Sequence, residues 1–66
     1  MGIELEVERD GRWIAEVLDI PGALAYGESR EDAILRAKAL ALRAIADRLE
    51  YGEEIPELDG VFAVPG

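Results

Sequence analysis

Sixty-six residues allow a single domain, and 15 acids against 7 bases give it a formal charge of −8 at neutral pH. Such a field repels phosphate backbones, which disfavours direct nucleic-acid binding, and it suits a basic partner or solubility alone. The chain has neither Cys nor His, so disulfides, the commonest zinc ligands and the side chain that titrates near neutrality are all excluded.

At the N-terminus, Ile3, Leu5 and Val7 alternate with Glu4, Glu6 and Glu8. This is a period-2 strand with one apolar and one acidic face. Asp10-Gly11 follows, a strong hairpin signal between alternating runs. A second strand is predicted from Trp13 to Leu18, with Trp13, Ala15 and Val17 continuing the core face. Ile14, Glu16 and Leu18 then share the outer face with the three glutamates. Asp19-Ile20-Pro21-Gly22 breaks the strand, because Pro21 lacks an N–H and Gly22 permits positive φ. Ala23 to Tyr26 reads as a short third strand.

Ser29 to Gly52 is the only stretch long enough for a substantial helix, about 21 residues or roughly 30 Å. Ser29 is its predicted cap, Asp32 a short-armed partner in a capping box, and Gly52 the residue that ends it. At 100° per residue the helix carries two apolar stripes. Ala33, Ile34, Ala37, Leu40, Ala41, Ala44, Ile45 and Tyr51 form the one that faces the sheet. Leu35, Ala39, Leu42, Ala46 and Leu49 form a narrower one on roughly the opposite side. A helix on one sheet needs only the first. The second repeats Leu every seven residues with Ala between, the spacing of a helix-to-helix seam. It is read as a self-association stripe; the plainer alternatives are cover by the terminal segment or simple exposure.

After the helix, Gly52 to Gly60 is a polar loop in which Ile55 tucks inward, and Val61 to Val64 reads as a final short strand. The predicted fold class is therefore α+β, β-β-β-α-β in two layers, over residues 1–66. A three-stranded antiparallel meander carries one long helix on one face. A right-handed crossover would lay the fourth strand parallel to the first. No stretch resembles a signal peptide or approaches the ~20 apolar residues of a membrane span, so the expected location is the cytoplasm, without membrane contact.

Catalytic chemistry finds little here. Ser29 is the only Ser and there is no Thr, so the usual nucleophile–base pairs cannot be assembled. No glycine-rich phosphate loop is present. Glu4, Glu6 and Glu8, with Glu16 across from them, form the one acidic set of the type that binds Mg²⁺; alternating acids on a strand are far more often a solvated face. Ile14 and Leu18 among them suggest a contact surface instead. The expectation is a non-enzyme without cofactor or metal.

The ordered set Asp10-Gly11, Trp13, Ala15-Glu16-Val17, Asp19-Ile20-Pro21-Gly22, Tyr26-Gly27, Ser29 to Ala33 and Gly52 to Pro56 resembles the HicB-like antitoxin family of bacteria and archaea. The resemblance runs from Asp10 to Pro56. It implies a reduced RNase H-like β-β-β-α-β domain that binds and silences a small basic RNA-cleaving toxin, HicA. Glu4, Glu6, Glu8, Ile14, Glu16, Leu18 and Asp19 are the candidate partner surface, on the acidic strand face and the adjoining loop. Complete antitoxins of this family often add a C-terminal DNA-binding domain, for which these residues leave no room. The chain departs from the family at Leu18, where relatives commonly carry Pro, and at Leu35 and Ala39, where they are usually polar. Both helix positions belong to the second stripe, in keeping with a homodimer or higher oligomer. An orphan homo-oligomeric module is the alternative. A Mg²⁺-dependent nuclease comes last, because Val61 to Val64 supplies no third acid and Asp59 lies just outside.

Overall fold

The computed structural model describes residues 1–65. Three strands, β1 (Ile3–Val7), β2 (Trp13–Val17) and β3 (Leu24–Gly27), form one antiparallel sheet in the order β1-β2-β3. One helix, α1 (Arg30–Glu50), packs across it, and a single 3-10 turn, Pro56–Leu58, follows. The α+β class and the meander agree with the sequence.

Local chemistry accounts for each junction. Glu8 accepts from Gly11 N (3.0 Å) and donates to Arg12 O (2.7 Å), and Gly11 takes a φ of 90°. This is a three-residue hairpin loop closed by a left-handed glycine. Asp10 braces it by accepting from the Arg12 backbone N–H (3.1 Å) and Nε (2.8 Å). Between β2 and β3, Ala23 N donates to Ile20 O (3.1 Å) with Pro21 and Gly22 (φ 85°) at the centre, the residue pattern of a type II turn.

The helix ends are capped as their residues suggest. Ser29 Oγ accepts from Asp32 N (3.0 Å), and Asp32 Oδ2 reaches back to the backbone N–H of Glu28 (3.2 Å). At the far end Gly52 N donates to Leu49 O and Glu53 N to Arg48 O, both at 3.0 Å, with Gly52 at φ 75°. These are the paired bonds of a Schellman motif. Tyr51 is the C-cap, outside the helical geometry, and it is exposed. Its predicted place on the core stripe is therefore corrected: the stripe stops at Ile45, before the cap.

The core lies between helix and sheet and is built mostly of small residues. Ala15, Ala23, Ala25, Ala33, Ala37 and Ala41 are buried, with Val17, Ile20, Ile45 and Ile55 as the larger members. Small residues on both sides let the layers approach closely. At Gly27 the approach is at its limit, since a Cβ there would lie 2.7 Å from Ala33 Cα and 2.8 Å from the Asp32 carbonyl carbon. The helix packs chiefly over β2 and β3, so β1 is the less covered edge. Val7, expected in the core, is exposed at its end.

The predicted fourth strand is not formed. Val61 N donates to Leu58 O (2.9 Å) in a last turn, and Val61, Phe62 and Val64 then run 59%, 69% and 86% exposed. A strand exists only against a partner edge, and Gly60 (φ 83°) ends the turn with no sheet edge alongside. The 52 Å long dimension of the chain exceeds the helix by some 20 Å, taking 1.5 Å per helical residue.

Candidate interaction surfaces

The strand register builds the outer face of the sheet. Glu4 stands opposite Glu16, and Glu16 opposite Leu24; Glu6 stands opposite Ile14, and Ile14 opposite Tyr26. Glu4, Glu6, Ile14, Glu16 and Leu24 line a shallow depression of about 370 Å³. Four of the seven residues expected at a partner surface thus converge. Glu8 shares the face at the hairpin end. Leu18 is exposed at the other end, where its N–H donates to Gly2 O (3.2 Å). Six residues at ~3.4 Å separate these two ends by about 20 Å. Asp19 belongs to the turn beyond β2. Leu24 and Tyr26, which the sequence reading left unassigned, complete the face. Their place follows from counting alternate positions away from the buried Ala25.

The electrostatics of this face are one-sided. Like charges directly opposite on a sheet destabilise it, and Glu4 against Glu16 is such a pair. Among the described residues the ion pairs are Asp10–Arg12, Glu31–Arg30 and Asp32–Arg36. None of them neutralises Glu4, Glu6, Glu8 or Glu16. Arg12 instead lies over the Tyr26 ring, 5.1 Å from its centroid. The face is therefore a patch of glutamates outside any ion pair, with Ile14 and Leu24 set into it and Arg12 over Tyr26 at its hairpin end. No three acidic side chains among the described residues converge in a way that suits a metal ion.

The second surface is the outer ridge of the helix. Leu35, Leu42 and Leu49 are 65%, 65% and 50% exposed. Ala39 is half-buried and Ala46 exposed between them. The terminal segment leaves most of this ridge open: Leu58 packs against the core and lines the same groove as Leu42. Leu42, Lys38, Ala41 and Ile45 also border a groove of about 270 Å³ whose other wall is Met1, Ile3 and Val17. This groove opens beside β1, where the helix cover ends.

Two carboxylates are displaced from their ordinary value of 3.8. The Arg36 side chain, and then the Glu28 N–H, hold Asp32 lower; the Arg12 backbone N–H, and then its guanidinium, do the same for Asp10. Both belong to a cap and a turn, and neither lies on the outer face. Among the described residues no helix is long and apolar enough to cross a membrane.

Compared with family models, curated proteins and solved structures, the chain matches none.

Proposed function

We propose that the protein is a HicB-like antitoxin domain, non-enzymatic and cytoplasmic, that acts as a homo-oligomer. It neutralises a small basic RNA-cleaving toxin by covering the toxin's RNA-binding or catalytic surface. The observation that carries this reading is the outer sheet face: Glu4 opposite Glu16, with Glu6 beside them, none of the three in an ion pair, and a half-buried Ile14 with exposed Leu24 and Tyr26 among them. A basic partner would relieve the repulsion while covering the apolar groups. Long-range attraction of this kind speeds encounter as well as fixing orientation. The three strands and the helix are then the body of a reduced RNase H-like fold, lacking its fourth strand within one chain.

The test takes the protein encoded by the adjacent reading frame, which this reading requires to be small and basic. Addition of the acidic chain should block its cleavage of RNA, and Glu4→Lys with Glu16→Lys should abolish that block while leaving the far-UV circular dichroism unchanged. Undiminished inhibition by the doubly reversed chain would reject the face. Absence of any complex with the neighbouring protein would reject the antitoxin reading.

A second reading, an orphan homo-oligomeric module, is favoured by a separate observation. The core is mostly alanine, while Leu35, Leu42 and Leu49 stand in solvent. A chain that places its small residues inside and its leucines outside gains apolar burial by associating with itself.

A further inference from the structure

β1 is an edge strand, and the hydrogen-bond pattern shows which of its backbone groups are free. Glu8 N donates to Arg12 O and Leu18 N to Gly2 O, which fixes the bonded pairs as 2 with 18, 4 with 16, 6 with 14 and 8 with 12. Pairs alternate along an antiparallel ladder. The N–H and C=O groups of Ile3, Leu5 and Val7 therefore point outward, with no strand beside them. Free edges of this kind are templates for strand addition.

The same edge carries the apolar groove bounded by Met1, Ile3, Leu42, Ile45 and Leu58. Leu58 belongs both to the groove and to the turn that launches the tail. Among the described residues, Val61-Phe62-Ala63-Val64 is the apolar run that has neither strand partner nor packing, and its side chains alternate between two faces in extended form. Laid beside β1, such a run would direct Phe62 and Val64 into the groove of about 270 Å³ and Val61 and Ala63 to the other face. The chain thus holds an unfilled edge and an unpaired strand. In its own subunit, however, the tail continues away past Gly60 instead of turning onto β1.

We infer that Val61–Val64 of one copy adds as a strand to β1 of a second copy, with Phe62 filling the groove beside Leu42. Reciprocal exchange by the second copy closes a two-fold dimer and leaves neither β1 edge open. This rests on the self-association proposed above, but on neither the leucine seam nor the toxin.

The experiment measures solution mass by light scattering as a function of concentration, on the full chain. Phe62 is exposed in the single subunit, so Phe62→Asp should leave the circular dichroism intact and weaken dimerisation by about tenfold or more, as loss of a buried aromatic anchor does. Because the chain has no Cys, single cysteines report the pairing. Chains with Val64→Cys, mixed with differently tagged chains bearing Val7→Cys or Ile3→Cys on the same face of β1, should crosslink between chains in one of the two mixtures, according to strand direction. A dimer unaffected by Phe62→Asp would overturn the exchange. So would crosslinking confined within doubly substituted, monomeric chains, the signature of a tail closing on its own sheet. Loss of the dimer with Leu35→Glu but not with Phe62→Asp would leave the leucine seam standing and the exchange refuted. A native chain that stays monomeric would refute both.

Discussion

Gly27→Ala is the sharpest test of how the two layers meet. Gly27 has an extended backbone, so alanine meets no conformational objection there. In a strand, replacing Gly by Ala would by itself favour folding by roughly 0.5–1 kcal/mol. Space decides the sign. The added methyl would lie 2.7 Å from Ala33 Cα and 2.8 Å from the Asp32 carbonyl carbon. These are backbone atoms in the first turn of α1, held by the Ser29 cap, so no side chain can swing aside. Overpacking costs typically 1–3 kcal/mol, and a backbone obstacle belongs at the upper end. The net loss is then about 2 kcal/mol, or a fall in Tm of roughly 8–16 °C for a domain this small. Urea denaturation followed by Trp13 fluorescence and circular dichroism measures it, at one fixed concentration because association would shift apparent stability. Gly2→Ala is the control, since nothing lies within 4 Å of a Cβ at that position. A Gly27→Ala chain as stable as the Gly2→Ala chain would refute the close approach and the helix placement with it.

Three further outcomes follow from other contacts. Ser29→Ala removes the acceptor for Asp32 N (3.0 Å) and should cost about 1 kcal/mol in thermal unfolding, with Ser29→Asp close to neutral. Asp32 and Asp10 are held below their ordinary 3.8, so the unfolded chain binds these protons more readily. Their contribution is fully present above about pH 4 and is lost as pH falls through the lowered folded values; Asp32→Asn should make the acid decline of stability shallower. Leu42→Glu places a charge on a residue exposed in the single chain but buried in either proposed dimer contact. Sedimentation should show a shift to monomer, and an unchanged mass would reject burial of Leu42.

What the sequence made legible is local. The Glu-apolar alternation, Asp10-Gly11, Pro21-Gly22, the Ser29 cap and the Gly52 stop each act over a few residues, and all appear where their chemistry puts them. The inward turn of Ile55 is equally faithful. What was not legible depends on pairing between distant segments. Gly27 reads as the end of a strand, yet its role is to admit the helix backbone; the signal was Ala23 and Ala25 at alternate positions before it, facing the Ala33-Ala37-Ala41 series. Leu24 and Tyr26 acquire a face only once β3 is registered against β2. Val61 to Val64 has the composition of a strand, but composition names no partner.

Symmetry assigns different work to the two uncovered surfaces. A two-fold contact sets each patch against its own copy. Through the outer sheet face, that would bring Glu4, Glu6, Glu8 and Glu16 of one subunit against the same four of another, and among the described residues none of the four is held in an ion pair. Leu35, Ala39, Leu42, Ala46 and Leu49 meet no such obstacle, being uncharged along the whole ridge. The helix side and the β1 edge therefore suit self-association, and the sheet side suits a partner of opposite charge. Because these surfaces lie on opposite layers, neither occupant excludes the other, and each subunit of a dimer retains one acidic face. Charge reversal at Glu4 and Glu16 should then abolish the complex with a basic partner while leaving the solution mass of the protein by itself unchanged. A change in that mass would place the self-contact on the sheet and reverse the assignment.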